Sequence, residues 1–314
     1  MTYEEAHKIF ELPFMELLYK AHTLHRENFN PNSLQTSTLL SVKTGACTEN
    51  CSYCAQSAHY NTGTKKESML DKEQILKYAK AAKEKGSSRF CMGASGRSPS
   101  DKDLEVLCEV IGEVKDLGME TCVTLGLLNE NQAQKLKDSG LDFYNHNIDT
   151  SKEYYSNVIT TRTFEDRLNT IKNVRDAGLK ICVGGILGLG ESNEDRINML
   201  VLLANLPTPP ESIPINQLVR IPGTPLENGE TLDCFDFVRI IALARILMPK
   251  SYIRLSAGRA QMDDSLQALC FFAGANSVFY GDRLLTTENA APTRDDMLFA
   301  RLNLSKEVFV EAKA

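Results

Sequence analysis

The chain has 314 residues and a net charge of −6, so it is long enough for one large domain or two of ordinary size. The acidic balance argues against a nucleic-acid-binding protein, and no apolar run approaches the length needed to span a bilayer. The opening residues, MTYEEAHKIF, lack a basic start and an apolar core, so we expect no secretory signal and a cytoplasmic location. In that reducing compartment the nine cysteines are expected to bind metal or to be buried, not to form disulfides.

Short β-rich runs alternate with longer amphipathic stretches along most of the chain. The N-terminal stretch 3–30 is predicted to form helices that pack outside the rest of the fold. Eight strand candidates follow in chain order at 36–42, 88–93, 119–125, 141–147, 180–185, 213–219, 252–256 and 276–280.

Helical candidates separate these strands. Residues 71–86 and 103–118 each begin with Asp and end in Gly, and residues 163–178 open with Thr163 and end in Gly. The proline-rich segment LPTPPESIP at 206–214 is predicted to be a loop before the sixth strand. After residue 284 the chain is expected to be irregular until a final helix near 294–302.

Repeated βα units imply parallel strands, and eight of them are the expected content of a closed (β/α)8 barrel of the TIM type. An open doubly wound sheet is the alternative. No linker or break in composition is visible, so we expect a single domain over 1–314, with 1–35 as a helical N-terminal extension and 285–314 as a C-terminal tail.

Cys47, Cys51 and Cys54 form the most informative motif, C-x3-C-x2-C in KTGACTENCSYCAQS. Closed zinc sites and ferredoxin-type clusters use four ligands, so three close thiolates without a local fourth describe a metal cage with one open position. The triad follows the first predicted strand, which in a barrel places it on the rim where active sites form. An iron–sulfur cluster is therefore favoured over three core thiols spaced by accident.

The pattern C-x3-C-x-aromatic-C, with Tyr53 as the aromatic residue, resembles the signature of the radical S-adenosylmethionine superfamily. The resemblance implies a [4Fe-4S] cluster held by the three cysteines, with Tyr53 at the cofactor. In that superfamily the fourth iron binds S-adenosylmethionine, and one electron breaks it into methionine and a 5′-deoxyadenosyl radical. A low-potential cluster can supply that electron.

Three further cysteines lie inside predicted strands, Cys91 in the second, Cys122 in the third and Cys182 in the fifth, and Arg254 lies inside the seventh. A charged Arg within a barrel strand is costly unless it is paired, so Arg254 is expected to have an anionic neighbour. A lone strand cysteine is most often a small buried residue. Three cysteines with an arginine are harder to attribute to packing, because alternation along the strands can direct them into one interior.

This combination resembles the biotin synthases, which carry a second cluster deep in the barrel. The resemblance implies a [2Fe-2S] cluster held by Cys91, Cys122, Cys182 and Arg254. Arginine stays protonated in proteins, so its role as a ligand comes from the resemblance alone. The remaining cysteines, Cys108, Cys234 and Cys270, fall on helix candidates and are interpreted as packing residues.

Asn145, Asn147 and Asp149 share one face at the end of the fourth predicted strand, YNHNIDTS, and His146 is expected to face the other way without a functional role. The resemblance implies that both asparagines contact the ureido ring of dethiobiotin, and that Asn147 and Asp149 contact the adenosyl ribose. It implies four further contacts: Asn216 and Thr286 to the substrate, Arg167 to the cofactor carboxylate, and Ile186 to the adenine.

The glycine-rich segment GGILGLGE at 184–191 does not match the dinucleotide-binding pattern, because Asn193 stands where a glycine is required. Another segment departs from some biotin synthases, which carry an aromatic residue after MGA, whereas this chain has MGASGRSP around Gly96. The lining of the cofactor pocket near Gly96 is therefore left open.

The resemblance covers roughly residues 5–300 and implies sulfur insertion into dethiobiotin, with the second cluster as sulfur donor. It also implies a flavodoxin- or ferredoxin-type electron donor, iron–sulfur assembly proteins as partners, and a homodimer. One alternative is a radical enzyme of the hydrogenase-maturation or methylornithine-synthase type, which the three strand cysteines oppose. A non-enzymatic iron–sulfur carrier or a zinc-stabilised binding module is opposed by the size of the chain and by the rim position of the open site.

Overall fold

The computed structural model describes residues 1–308. Its strands are β1 (Ser33–Lys43), β2 (Arg89–Ala94), β3 (Glu120–Thr124), β4 (Phe143–Asn145), β5 (Lys180–Cys182), β6 (Gly185–Leu187), β7 (Ser212–Gln217), β8 (Tyr252–Leu255), β9 (Ser277–Phe279) and β10 (Ser305–Lys306). Its helices are α1 (Tyr3–Phe10), α2 (Phe14–Asn28), α3 (Lys72–Glu84), α4 (Asp101–Asp116), α5 (Glu130–Asp138), α6 (Tyr155–Val158), α7 (Phe164–Asp176), α8 (Asn193–Ala204), α9 (Cys234–Leu247), α10 (Asp264–Phe272) and α11 (Pro292–Arg301).

The strands close into a parallel barrel. Neighbours pair in the order β1, β2, β3, β4, β5, β7, β8, β9, and β9 pairs back with β1, where Ser277 lies opposite Gln35 and Phe279 opposite Ser37. The predicted (β/α)8 barrel is thus confirmed, and the open sheet is wrong. Closure leaves no free sheet edge and directs the carboxyl end of every strand to one rim.

The fifth barrel strand is interrupted, which the sequence did not indicate. The predicted strand 180–185 is two short strands, β5 and β6, and both pair with β7. A Cβ at Gly184 would lie 2.0 Å from the carbonyl oxygen of Pro214, so the backbone of β7 occupies the space that a side chain would need. The break therefore coincides with a close approach of this backbone to β7.

Helix starts follow local capping. Asp71 caps α3 and Thr163 caps α7, each in a capping box with the residue three positions on, so both predicted helices are confirmed. The α4 helix begins at Asp101, two residues before its predicted start, because the side chain of Ser100 provides the cap. The predicted final helix is α11, and the short β10 that follows it pairs with β1, a contact that was not predicted.

The N-terminal helices α1 and α2 pack against α8 and α9 outside the barrel, as predicted. The predicted loop 206–214 ends earlier, because β7 already begins at Ser212. The packing interpretation holds for the buried Cys270 and the half-buried Cys108, but it is wrong for Cys234, which is exposed at the first position of α9. Among the residues that the structure describes, no helix is both long and apolar enough to cross a membrane.

Candidate functional site

A cavity of about 320 Å³ opens at the carboxyl-terminal rim of the barrel and reaches down to the strands. Its lining contains all but one of the residues that the sequence marked as ligands or contacts. These are Cys47, Cys51, Tyr53, Cys54, Cys91, Cys122, Asn145, Asn147, Asp149, Arg167, Ile186, Asn216, Arg254 and Thr286. The exception, Cys182, is fully buried beneath the floor. One barrel interior thus brings the predicted site residues together.

The rim motif lies on the loop between β1 and α3. The backbone N–H of Cys47 donates to the carbonyl of Gln56 at 2.9 Å, and that of Cys54 donates to the carbonyl of Cys51 at 3.0 Å. All three thiols are free, with Cys51 buried and the other two half-buried. Burial raises the pKa of the Cys51 thiol to about 12, and the nearby Arg162 guanidinium acts in the opposite direction.

The thiol arrangement fits a cluster better than a single ion. Within residues 1–308, no three His, Cys, Asp or Glu side chains converge closely enough to hold one metal ion. In an iron–sulfur cluster each thiolate binds a different iron, so the ligands stand further apart than around one ion. The three free thiols of the motif line one cavity.

The strand cysteines lie at the bottom of the cavity. Cys91 and Cys122 are register partners on β2 and β3, and with Cys182 and Phe143 they form a small buried cluster that is separate from the main core. Hydrogen bonding with the Cys122 thiol lowers the pKa of Cys91 and of Cys182, and raises that of Cys122 itself. Three thiols within reach of one another fit the donor set of a small cluster.

The Arg254 guanidinium lies beside these thiols, with Nη1 3.9 Å from Sγ of Cys182. Its other nitrogens donate to Ser277 Oγ at 2.9 Å, Ser37 Oγ at 3.0 Å and Gln35 Oε1 at 3.2 Å. Neutral oxygens accept these three hydrogen bonds, so the expected anionic neighbour can come only from the thiols beside it. Together with the hydrogen bond to Cys122, Arg254 lowers the pKa of Cys91 and of Cys182, which favours their ionised form.

The predicted face of the fourth strand turns into the cavity. Asn145 accepts from Thr124 Oγ1 at 3.0 Å and donates to the carbonyl of Cys182 at 3.0 Å. Asn147 accepts from the backbone N–H of Gly184 at 3.2 Å. These bonds fix the amide orientations, and fixed amides suit recognition of a polar, uncharged ring.

Asp149 and Arg167, predicted to contact different parts of the cofactor, form a buried ion pair with each other. Nε of Arg167 also donates to the hydroxyl of Tyr155 at 3.1 Å. His146 lies beside Tyr144, at 6.2 Å between ring centroids, and burial lowers its pKa well below the ordinary value. It also lines the cavity, so the expectation that it faces away from the site residues is not met along its whole side chain.

The remaining predicted contacts lie around the cavity wall. Asn216 donates to the carbonyl of Gly185 at 2.9 Å and accepts from the N–H of Ala257 at 3.1 Å, so it links β6, β7 and the end of β8. Ile186 lies on β6, and Thr286 lies on the segment after β9. Small residues at 94–96 line the wall near Gly96, which the sequence had left open.

Two charged residues of the site, Glu49 and Arg162, were not singled out by the sequence. The buried Glu49 accepts from Arg97 at 2.9 Å and from Thr161 Oγ1 at 2.5 Å. Arg162 donates to Sγ of Cys51 at 3.5 Å. Glu49 lies inside the cysteine motif and Arg162 lies just before the cap of α7. The sequence does not show that these two loops meet, and only the fold brings them together.

Two family models match this chain, one after the other along the sequence. The model of the radical SAM superfamily matches residues 41–203, and that of the biotin and thiamin synthesis associated domain matches residues 214–305. Together they run from the end of β1 to the start of β10, with residues 204–213 between them unmatched.

Three proteins that are similar to this chain over nearly its full length are all named biotin synthase. The chain is 61% identical over 303 residues to the biotin synthase of Rickettsia felis, covering 96% of this chain and 98% of that protein. It is 61% identical over 305 residues to the biotin synthase of Neorickettsia sennetsu, covering 97% and 94%. It is 60% identical over 303 residues to that of Methylococcus capsulatus, covering 96% and 93%.

Solved structures support the fold at lower identity. The FeFe-hydrogenase maturase of Carboxydothermus hydrogenoformans superposes with a TM-score of 0.83 at 20% identity, covering 99% of this chain and 77% of that one. A methylornithine synthase gives 0.81 at 20% identity, covering 98% and 94%. At that identity the two structures support a shared barrel and nothing about shared chemistry. On the sequence matches, the chain belongs to the biotin synthase family of the radical SAM superfamily.

Proposed function

We propose that this protein forms biotin by inserting sulfur into dethiobiotin, using two iron–sulfur clusters held at two depths of one barrel. Membership of the family makes the protein an enzyme that transfers sulfur. The observation that carries the proposal is the division of six free cysteines into a rim group, Cys47, Cys51 and Cys54, and a floor group, Cys91, Cys122 and Cys182. A cavity connects the two groups.

In this proposal the rim cysteines hold a [4Fe-4S] cluster that also binds S-adenosylmethionine, and the floor cysteines with Arg254 hold a [2Fe-2S] cluster. When bound, these groups supply an electron, a carbon-centred radical and the sulfur atom. The chain would position the two clusters separately. The rim thiols lie on a loop and the floor thiols lie on strands, so the two sites share no residue. A substrate between them would lie within reach of both.

The chain's own polar groups orient the ligands. Asn145 and Asn147 are proposed to bind the ureido ring, and Asn216 and Thr286 to border the substrate. Because Asp149 and Arg167 pair with each other, we expect cofactor binding to exchange that ion pair for bonds to ribose hydroxyls and to a carboxylate. Tyr53 and Ile186 are proposed to contact the cofactor.

We further propose the partners that this chemistry requires. A flavodoxin- or ferredoxin-type protein would deliver electrons, iron–sulfur assembly proteins would build the clusters, and two copies of the chain would form a homodimer. We also propose that residues 1–314 are a single domain, in which 1–35 is an N-terminal extension and 285–314 a tail. In support, strands of both matched regions close one barrel through the pairing of β9 with β1.

The proposal is tested with protein reconstituted anaerobically with iron and sulfide and then supplied with S-adenosylmethionine, a reductant and dethiobiotin. Wild type is expected to show two cluster types by Mössbauer spectroscopy and to form 5′-deoxyadenosine and biotin. Cys51→Ser is expected to form neither product. Cys122→Ser is expected to lose the [2Fe-2S] signal and biotin formation while it retains the [4Fe-4S] cluster.

Cys234→Ser is the matched control, because it removes an exposed thiol at the start of α9. It is expected to keep both clusters and both products. A wild-type protein with one cluster and no biotin would contradict the assignment of the floor cysteines. Normal 5′-deoxyadenosine formation by Cys51→Ser would contradict that of the rim cysteines.

A further inference from the structure

The loop that carries the rim cysteines is bound to a second loop, residues 159–162, between α6 and α7. The Asn50 side chain accepts from the backbone N–H groups of Thr160 at 3.0 Å and of Thr161 at 3.2 Å. In return the backbone N–H of Asn50 donates to Thr161 Oγ1 at 3.1 Å. These bonds fix the position of the second loop beside Cys51, the next residue along the motif.

Arg162 ends this second loop with its guanidinium against the motif. Its Nη2 lies 3.5 Å from Sγ of Cys51, and its side chain is 8% exposed. Its Nε has no hydrogen-bond partner and lies 3.7 Å from Oε2 of Glu49. The guanidinium is therefore a buried cation whose closest sulfur contact is a proposed cluster ligand.

Glu49 does not neutralise this cation by direct hydrogen bonding. One of its carboxylate oxygens accepts from Arg97 at 2.9 Å and the other from Thr161 Oγ1 at 2.5 Å. The carboxylate is nevertheless buried, with 2% of its side chain exposed, and it lines the same cavity two positions before Cys51 in the motif. A cation and an anion of opposite effect thus lie at one corner of the rim site, where burial limits screening by salt.

We propose that Arg162 is a positioning residue that holds the thiolate of Cys51 and raises the reduction potential of the rim cluster, and that Glu49 lowers the same potential. The inference rests on the proposed function, which assigns Cys51 as a ligand. Hydrogen bonds to cluster sulfurs and the local net charge set the reduction potentials of iron–sulfur proteins. A cation favours the reduced form, which carries one more negative charge, and an anion disfavours it.

The alternative is that Arg162 only ties two loops together. The two explanations predict different signs for the changes in midpoint potential. Under the electrostatic explanation, neutralising Arg162 and neutralising Glu49 move the midpoint potential in opposite directions. Under the purely structural explanation, either change loosens the same loop, so both variants move the potential in one direction or lose iron alike.

The test compares Arg162→Gln, Arg162→Lys and Glu49→Gln with wild type, each reconstituted anaerobically without S-adenosylmethionine or dethiobiotin. Iron content is measured first, and the midpoint potential is then measured by a redox titration monitored by electron paramagnetic resonance. We expect a more negative potential for Arg162→Gln, a more positive one for Glu49→Gln, and a value near wild type for Arg162→Lys, which keeps the charge.

Arg175→Gln is the matched control, since it removes the same charge from the last turn of α7, where Arg175 pairs with Glu211 at the opposite end of the barrel. It is expected to leave the potential unchanged. An unchanged potential in Arg162→Gln with full iron, or shifts of the same sign in Arg162→Gln and Glu49→Gln, overturns the proposal.

Failure of Arg162→Gln to hold iron leaves the decision to the other two variants. A wild-type potential in Arg162→Lys together with a positive shift in Glu49→Gln supports the proposal, and any other pair of results overturns it. A wild-type protein that holds no rim cluster instead overturns the ligand assignment itself, and this inference with it.

Discussion

Asp149 combines an uncommon backbone conformation with two contacts to other elements of the fold. Its backbone has a φ of 69°, in the left-handed region that Asp and Asn tolerate better than most residues. Its carbonyl accepts from the N–H of Ile186 at 2.8 Å, and its carboxylate pairs with Arg167. One residue thus links the end of β4 to β6 and α7, and it also faces the cavity where the cofactor is proposed to bind.

Asp149→Asn is expected to weaken S-adenosylmethionine binding and to leave both clusters assembled. Asn keeps the left-handed backbone and the shape of the side chain, so the expected changes are the loss of charge-assisted bonds to ribose hydroxyls and the loss of the buried ion pair with Arg167. The loss is on the order of 1–2 kcal/mol, or roughly tenfold in affinity. Equilibrium titration of the reconstituted protein measures it.

Glu165→Gln is the control for Asp149→Asn, because it also removes a carboxylate partner of a basic residue, here Lys152, but at the exposed start of α7. Its affinity is expected to equal that of wild type. An Asp149→Asn protein with unchanged affinity would show that this carboxylate serves the fold and not the cofactor.

Among the helices and strands, the features that could be predicted from the sequence are those whose interacting residues are close together in the chain. The caps at Asp71 and Thr163 lie within four residues of the groups that they satisfy, so α3 and α7 were predictable. The contact between Arg162 and Cys51 joins residues 111 positions apart in sequence, and no local pattern announces it. The same is true of the pairing of Asp149 with Arg167, which two separate predictions had assigned to different ligand groups.

The break between β5 and β6 makes a prediction about stability. Gly184→Ala would place a Cβ against the backbone of Pro214, which has no flexible end that can move aside. We expect a loss of about 1–3 kcal/mol or more in the free energy of unfolding, because overpacking forces backbone shifts. Urea denaturation monitored by circular dichroism measures it.

Gly112→Ala is the matched control for Gly184→Ala. Gly112 lies within α4, and a Cβ there meets no atom within 4 Å. Alanine favours the helix over glycine by roughly 0.5–1 kcal/mol, so this variant is expected to be slightly more stable than wild type. Equal stability of the two variants would mean that β7 can move at little cost and that the break has another cause.

Viewed as a whole, the molecule separates its buried polar groups between the two ends of the barrel. At the carboxyl-terminal rim, buried Glu49, Asp149 and Arg167 line the cavity. At the other end the fully buried Arg245 donates to the carbonyls of Gly274 at 2.8 Å and Ser251 at 2.8 Å, and so joins α9, α10 and the start of β8. Phe29 lies 4.8 Å from this guanidinium, which places the end of α2 under the same junction.

His25 lies at this junction on α2, 1% exposed, and neither ring nitrogen has a hydrogen-bond partner. Burial, with a smaller contribution from Arg245 and His22, lowers its pKa from 6.5 to about 3. In the unfolded chain the imidazole takes up a proton below about pH 6.5, whereas in the folded protein it stays neutral down to about pH 3. The unfolded state therefore binds more protons over this interval, and stability falls as the pH decreases through it.

His25→Leu is expected to make the free energy of unfolding less dependent on pH between about 6 and 4. A single group in this state contributes a slope of up to about 1.4 kcal/mol per pH unit. The variant is expected to lose the contribution of His25 to the pH dependence of stability. The remaining pH dependence is expected to stay, because the buried neutral His146 acts in the same direction. Urea denaturation of wild type and variant at several pH values measures the difference, with His7→Leu, on the exposed face of α1, as the control that should follow wild type. Parallel pH profiles for wild type and His25→Leu would show that the imidazole gains a proton without unfolding the protein, and that the junction beneath α2 opens to water more easily than its packing implies.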